Sequence, residues 1–138
     1  MEVHTWKERT EEGTLVYRAC HHAGKWKLEC APKVVFHAFS EDAVTYRKLK
    51  ACGDFAFGIG GVVTFRKSKL ADTVREMELD DIVLETDCPY LTPAPHRGER
   101  NESAYVRFVC EKVAELKGLP PGEVAAATTA NAKRIFGI

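Results

Sequence analysis

Apolar and polar positions along this chain follow two different periods. Short, mainly apolar runs at 34–38, 55–59 and 82–84 are typical of strands buried in a parallel sheet, and the third predicted strand continues to Asp87. The segments that follow them carry apolar residues three and four positions apart, which predicts helices. These predicted helices cover residues 41–51, 70–77, 102–116 and 124–127, and Thr128 or Thr129 caps a last helix.

The first third of the chain has a weaker pattern. Residues 2–5 match a short strand, and Leu15, Val16, Ala19 and Cys20 are spaced as one face of a helix over 10–22. The predicted order is then strand and helix four times, followed by a helical tail. Strands that alternate with helices form βαβ units and a parallel sheet. We therefore predict one α/β domain over residues 1–138, built as about half of an eight-fold TIM-type barrel.

Several single residues make this prediction specific. Ser40 is a suitable N-cap for the helix over 41–51, and Gly118 is a suitable end for the helix that begins at 102. Ile135 and Phe136 are predicted to be buried by the last helix. Three glycines within four positions (Gly58, Gly60, Gly61) predict that another backbone or side chain approaches closely at a strand end.

The strand at 82–87 carries the strongest chemical signal. Side chains alternate along a strand, so Val83, Glu85 and Asp87 share one face. Carboxylates at the C-terminal tip of a buried parallel strand are where barrel enzymes keep their chemistry. Such an acid is costly unless it meets a metal, a cation or a proton donor. Two interpretations stay open here: a functional carboxylate site, or a pair satisfied by backbone amides or a nearby arginine.

Composition narrows the class of protein without naming a function. The 138 residues are 45% hydrophobic and 29% charged, which is ordinary for a globular domain. Lys+Arg and Asp+Glu both number 20, so net charge does not direct the chain to nucleic acid or membrane. No apolar run reaches membrane-spanning length, and no signal-peptide pattern precedes the first strand. Five cysteines without a CxxC pair favour reduced thiols and a cytoplasmic location.

Five motifs in order give the chain a family resemblance. They are HAFS at 37–40, GVVTF at 61–65, LETDCPYL at 84–91, PHRG with RNE at 95–102, and NAKRIFG at 131–137. Over residues 34–138 the sequence resembles the C-terminal half of the TatD family of metal-dependent deoxyribonucleases. The resemblance implies a TIM-like barrel that binds one or two divalent metal ions (Mg, Mn or Zn) and hydrolyses phosphodiester bonds of DNA or another substrate.

The resemblance also assigns roles to residues of this chain. His37 is similar to the family's metal-binding histidine on its sixth strand, and Asp87 to the aspartate on its eighth, which binds metal or orients the attacking water. His4 is a weaker match to the histidine on the fifth strand. His96, Arg97 and Asn101 match a loop that would overhang the site and contact substrate.

Two ligand groups of the family are absent from this sequence. The family's first strand carries a His-x-His pair and its fourth strand a glutamate, and neither is found here. The remaining ligands, His4, His37 and Asp87, would still suffice for a catalytic metal site, because such sites use three protein ligands and keep one position open. The alternative is a non-catalytic half-barrel that acts as an oligomeric or binding protein. A half-barrel also exposes sheet edges, so we predict a homodimer that completes the barrel.

Overall fold

A computed structural model describes the backbone of residues 2–10, 13–22, 25–28 and 33–138, and the side chains of residues 33–138. The chain divides into two compact units, Met1–Val34 and Val35–Ile138, and each is described by itself. The prediction of one domain over residues 1–138 stays a prediction. The fold class is α/β with parallel strands, as the pattern of elements predicted.

The first unit is an antiparallel sheet. Strand β1 (Glu2–Thr10) pairs with β2 (Gly13–His22), and β2 pairs with β3 (Lys25–Leu28). The predicted helix over 10–22 and the predicted parallel strand at 2–5 are therefore wrong. The apolar spacing in β2 fits a helix, but cross-strand pairing overrides a short local pattern. His4 lies on β1, and its side chain is outside those that the structure describes.

The second unit contains the barrel-like part of the chain. Its elements are β4 (Val34–Phe36), α1 (Ala43–Lys50), β5 (Phe55–Ile59), α2 (Leu70–Glu76), β6 (Ile82–Leu84), α3 (Val106–Lys117) and α4 (Pro121–Phe136). The strands lie in the order β4–β5–β6, and β5 and β6 run parallel with Gly58 opposite Val83. Since parallel strands end at the same edge of a sheet, the residues that follow β5 and β6 meet there.

Phe57 on the central strand organises the core of this unit. Its ring lies between those of Phe36, Phe39 and Tyr46, with centroids 5.3, 4.9 and 5.1 Å away. The predicted helical stripe Leu70, Val74 and Met77 is buried in the same cluster, and so are apolar residues of α3 and α4. The other face of β5 carries Ala56 and Gly58, and Gly60 follows the strand, so this face leaves room above the sheet.

The helix ends show which local signals hold. Asp42, not Ser40, is the N-cap of α1, and its carboxylate accepts a hydrogen bond from the Thr45 amide at 2.8 Å. The predicted N-cap at Ser40 is wrong because a turn at His37 and Ala38 follows β4, so that the helix begins further along the chain. Gly118 ends α3 as predicted, with φ of 65°, a backbone conformation that glycine adopts at little cost.

The last helix is continuous, so the predicted break near Thr128 is wrong. α4 runs from Pro121 to Phe136, and the Thr128 hydroxyl donates back to the Val124 carbonyl at 2.8 Å instead of capping a new helix. Asn131, three residues further, donates to the carbonyls of Leu79 and Ile82 at 2.8 Å each. This amide therefore ties α4 to the segment that leads into β6.

Ile135 and Phe136 are adjacent apolar residues of α4, and comparing them tests which side of this helix packs against the sheet. Ile135 is 5% exposed against Ala56 and Val83, whereas Phe136 is 63% exposed, so the predicted burial of Phe136 is wrong. We expect Ile135→Ala to lower the free energy of unfolding by about 2–5 kcal/mol. Phe136→Ala should change it by less than about 0.5 kcal/mol. Urea unfolding of both variants checks this, and equal losses would contradict the packing described.

A buried polar network holds the N-terminal end of β6. Asp81, 8% exposed, accepts hydrogen bonds from the Tyr46 hydroxyl at 2.6 Å and from Lys50 Nζ at 2.7 Å. The Tyr46 hydroxyl oxygen in turn accepts from the Glu78 amide at 3.0 Å. Burial, followed by the hydrogen bond to Asp81, raises the pKa of Tyr46 above its ordinary value of 10.0.

This network predicts a dependence of stability on alkaline pH. A raised pKa in the folded state means that the unfolded chain loses the Tyr46 proton first. The contribution is therefore complete below pH 10 and is lost as the pH rises further. We expect Tyr46→Phe to cost about 1–2 kcal/mol at neutral pH, because it removes two hydrogen bonds. The decline of stability above pH 10 should be shallower in this variant, and equal slopes in urea titrations would contradict the argument.

None of the described helices has the length and apolar character that crossing a membrane requires. Among the described side chains, Cys52, Cys88 and Cys110 are free thiols.

Candidate metal centre

His37, Glu85 and Asp87 meet at the end of the sheet. His37 follows β4 and the two acids follow β6, so strand ends bring together residues almost fifty positions apart. His37 Nε2 lies 3.0 Å from Asp87 Oδ1, and His37 Nδ1 lies 2.9 Å from Glu85 Oε2. His37 and Asp87 thus contact each other, although β5 lies between β4 and β6 in the sheet. Their role as metal ligands stays a prediction.

Glycines on the central strand make room for both carboxylates. A Cβ at Gly58 would lie 2.2 Å from Glu85 Oε2, and a Cβ at Gly60 would lie 3.2 Å from Asp87 Oδ2. Ala56, Gly58 and Gly60 alternate onto the same face of β5, opposite the face that carries Phe57. The close approach predicted from the glycine run is confirmed, and its partners are the carboxylates of the candidate site.

The donor set fits a divalent cation. One ligand atom from each of His37, Glu85 and Asp87 lies within 4.8 Å of the other two, and no other group of this kind occurs among residues 33–138. Asp87 Oδ2 is buried and has no hydrogen-bond partner among the described residues. A buried carboxylate oxygen without a donor is unfavourable, and a cation would compensate it. Imidazole nitrogen and carboxylate oxygen suit Zn²⁺ and Mn²⁺, and carboxylate oxygen suits Mg²⁺.

Glu85 is the residue that the predicted site lacked. Its position on the same face as Asp87 is visible in the alternation of the strand, so the signal was present in the sequence. The family resemblance singled out Asp87 and left Glu85 without a role. In the structure Glu85 also accepts a hydrogen bond from the backbone amide of Ala38. Ala38 has φ of 49°, a conformation that is strained for a residue with a Cβ.

The three predicted substrate-binding residues lie in the loop after Asp87. Asn101 is buried, and its amide donates to the Tyr90 carbonyl at 2.6 Å and accepts from the Glu102 amide at 2.9 Å. It therefore holds the loop in shape. Its predicted contact with substrate, like those of His96 and Arg97, stays a prediction.

His96 and Arg97 are both exposed to some degree and both packed on aromatic rings. The imidazole of His96 stacks on Tyr105 with centroids 4.5 Å apart, and its Nδ1 lies 3.0 Å from Glu99 Oε2. The Arg97 guanidinium lies 3.8 Å from the centre of the Phe65 ring and donates to the Thr92 carbonyl at 2.8 Å. These contacts hold both side chains of the loop in defined orientations.

The start of this loop is held by backbone contacts. A Cβ at Gly61 would lie 2.2 Å from the Leu91 carbonyl oxygen, and Leu91 itself has φ of 51°. The thiol of Cys88, next to Asp87, is exposed and lies 3.6 Å from the Ser103 hydroxyl. Hydrogen bonds from the side chains of Thr86 and Ser103 hold the pKa of this thiol below its ordinary value of 9.0.

A partial barrel with a histidine and two acids at the ends of its strands belongs to the class of TIM-type proteins, which keep their functional residues at that edge of the sheet. Comparison with known proteins makes the assignment specific. The sequence profile described as "TatD related DNase" matches residues 3–137. The chain belongs to this family.

Similar proteins support the same assignment. The chain is 44% identical over 105 residues to "Uncharacterized metal-dependent hydrolase YabD" of Bacillus subtilis, covering 75% of this chain and 41% of that protein. It is 47% identical over 105 residues to "Uncharacterized metal-dependent hydrolase YcfH" of Escherichia coli K12, covering 75% and 39%. The chain thus spans about two-fifths of the length of these relatives.

Solved structures agree on the fold. The structure of YJJV, a TatD homologue from Escherichia coli, superposes with a TM-score of 0.70 at 28% identity, over 76% of this chain and 40% of that one. A hydrolase TatD family protein from Entamoeba histolytica gives a TM-score of 0.63 at 16% identity, over 73% and 41%, and shows the fold alone. The predicted partial barrel is confirmed.

Proposed function

We propose that this chain is a metal-dependent hydrolase of the TatD type that cleaves phosphodiester bonds of DNA. The observation that carries the proposal is the contact of His37 Nε2 with Asp87 Oδ1 at 3.0 Å, beside a buried Asp87 oxygen that has no hydrogen-bond partner among residues 33–138. The family supports a metal-dependent hydrolase, because the relatives carry that description in their names.

His37 and Asp87 would hold the ion. His37 would supply a neutral imidazole nitrogen and Asp87 an anionic oxygen, a combination found in catalytic sites. When bound, a divalent cation supplies Lewis acidity for the attack of water and positive charge for phosphate oxygens. His4 remains a proposed third ligand. The number of ions, one or two, and their identity as Mg²⁺, Mn²⁺ or Zn²⁺ also belong to this proposal.

Arg97 would contact the phosphate of the substrate. A guanidinium has five N–H donors, and within the described part of the chain the Thr92 carbonyl takes one of them. Contact with the Phe65 ring limits the positions that the side chain adopts, which lowers the entropy lost on binding an anion. Arg66, Lys67 and Arg100 are exposed and would contact flanking phosphates, offsetting the neutral net charge locally.

Removal of Arg97 should separate substrate binding from metal binding. We expect Arg97→Ala to leave the affinity for Mn²⁺ unchanged and to weaken binding of a single-stranded oligonucleotide. The slope of log K against log salt should fall by about 0.7 for one lost phosphate contact. Arg75→Ala is the control, since Arg75 is also an exposed arginine, contacts Asp72 on α2 and does not line the groove between α3 and α4. Equal anisotropy titrations for both variants would contradict the role of Arg97.

The decisive experiment is a nuclease assay on the purified chain. We expect cleavage of a labelled oligonucleotide that requires added Mg²⁺, Mn²⁺ or Zn²⁺ and is stopped by a chelator. Asp87→Asn should reduce the rate at least tenfold. Absence of metal binding at millimolar concentration would favour the non-catalytic half-barrel instead.

A second copy of the chain is the proposed partner. β6 is an edge strand in the order β4–β5–β6, and beside it a groove of about 590 Å³ opens between α3 and α4. Its lining includes Leu84, Val106, Cys110, Ala125 and Ala132. Because this chain spans about two-fifths of its relatives, a second copy would supply strands and apolar surface that a barrel needs.

The oligomeric state tests this partner. We expect sedimentation to give a dimer at micromolar concentration and Ala125→Lys, in the groove, to give a monomer. Ala130→Lys is the matched control, because Ala130 is exposed on the same helix and does not line the groove. A monomeric wild type, or a dimer in both variants, would contradict the proposed interface.

A further inference from the structure

Glu85 occupies a notch that only a residue without a side chain can form. The three atoms nearest to a Cβ built on Gly58 all belong to the Glu85 carboxylate, at 2.2, 2.4 and 2.7 Å. Gly58 lies opposite Val83 in the ladder, and Val83 lies two residues before Glu85. The Glu85 carboxylate therefore points back along β6 to reach Gly58 on β5. The Glu85 amide continues the ladder by donating to the Ile59 carbonyl at 3.1 Å.

Both oxygens of this carboxylate contact the turn that follows β4. Oε2 lies 2.9 Å from His37 Nδ1, and Oε1 accepts from the Ala38 amide. On the far side of the ring, Nε2 faces Asp87 Oδ1 at 3.0 Å. The next amide, that of Phe39, donates to the Gly58 carbonyl at 3.0 Å. Together these contacts fix the imidazole ring and the left-handed Ala38 against the edge of β5.

We infer that Glu85 is a positioning residue: it accepts the Nδ1–H of His37 and thereby leaves Nε2 unprotonated on the side of Asp87. A neutral imidazole has one donor and one acceptor nitrogen, and the hydrogen bond of one nitrogen decides the state of the other. A carboxylate behind a ligating histidine is a common arrangement in metal sites. This inference rests on the proposed function, in which His37 Nε2 binds the ion.

A different role, in which Glu85 is itself a ligand, fits the contacts less well. Each Glu85 oxygen already has a partner on residues 37–38, whereas Asp87 Oδ2 has none among the described residues. Gly58 makes room for Glu85 in particular, since the three atoms nearest to a Cβ built there all belong to the Glu85 side chain. Gly58→Ala therefore displaces the Glu85 carboxylate while the chemical identity of every donor is kept.

The test combines Zn²⁺ titration calorimetry with ¹⁵N NMR of the histidine rings in the Zn²⁺-loaded protein. Glu85→Ala and Gly58→Ala should each weaken Zn²⁺ binding by about 10–100-fold. The double variant should lose no more than the larger single loss, because both changes remove one contact. In wild type the spectra should show a protonated Nδ1 on His37 with a proton protected from exchange, a signal absent from His37→Ala. Both single variants should lose this protection.

Gly122→Ala is the control glycine substitution, because a Cβ there meets nothing within 4 Å. It should bind Zn²⁺ as wild type does. If wild type binds Zn²⁺ and both single variants bind it equally well, or if Nδ1 of His37 is unprotonated, the role of Glu85 is overturned while the proposed function stands. If wild type binds no Zn²⁺, the proposed function fails, and the inference fails with it. Should Glu85→Ala not fold, Gly58→Ala alone gives the answer.

Discussion

Asp87→Asn is expected to weaken divalent-metal binding at least tenfold, about 1.4 kcal/mol. The substitution keeps the shape of the side chain beside His37 and removes its charge, and the buried Oδ2 loses the anionic character that favours a cation. Calorimetric titration with Mn²⁺ or Zn²⁺ measures the change. Asp80→Asn makes the same chemical change at an exposed position before β6 and should leave the affinity as it is.

His37→Ala should have a comparable effect on metal binding. The double variant with Asp87→Asn should lose less than the sum of the two, because both residues act on one ion. Additive losses would indicate two independent sites. If the wild type binds no metal at millimolar concentration, or if Asp87→Asn binds as tightly as wild type, the site in this chain is vestigial.

Gly61→Ala is expected to be the most destabilising glycine substitution among those described, with a loss of at least about 2 kcal/mol. A Cβ there would lie 2.2 Å from the Leu91 carbonyl oxygen and 3.1 Å from the Pro93 nitrogen, and both are backbone atoms. Backbone cannot rotate away as a side chain can, so the loop that follows Asp87 must move or the strand end must open. Urea unfolding at 25 °C measures the loss.

Gly122→Ala is the matched control and should have the opposite sign. Gly122 lies in the first turn of α4, where a Cβ meets nothing, so alanine reduces only the freedom of the unfolded chain. A gain of about 0.4–1 kcal/mol is expected. Equal stabilities of the two alanine variants would show that the Gly61–Leu91 contact is not a constraint on the fold.

The positions of some strands and helices are predictable from the sequence, namely those with a long hydrophobic pattern or with a clear terminating residue such as glycine. The strand at Phe55–Ile59 is predictable because a strand buried on both faces requires a run of apolar residues. The end of α3 is predictable because its left-handed backbone conformation at residue 118 favours glycine. The motif resemblance assigns His37 and Asp87 to one metal site, and the parallel topology brings the ends of their strands to one edge of the sheet. The glycine run predicted a close approach, and only its partners were unknown.

Local patterns failed where two structures satisfy the same spacing. Leu15, Val16, Ala19 and Cys20 fit a helix, yet they lie on a strand because pairing with β1 and β3 supplies their backbone partners. Thr128 is a reasonable cap in isolation. It lies inside α4 because its hydroxyl bonds back to Val124 and the helix packs as one piece.

Tertiary structure alone decided how the site is built. Glu85 has a role because Gly58, on another strand, leaves a notch for its carboxylate, and no local pattern connects positions so far apart. Asn101 stabilises the loop after Asp87 because its side chain donates to the Tyr90 carbonyl and accepts from the Glu102 amide in the folded chain. Phe136 is exposed and Ile135 buried because the rotation of α4 against β5 and β6 is set by packing, and hydrophobicity by itself does not distinguish two adjacent apolar residues.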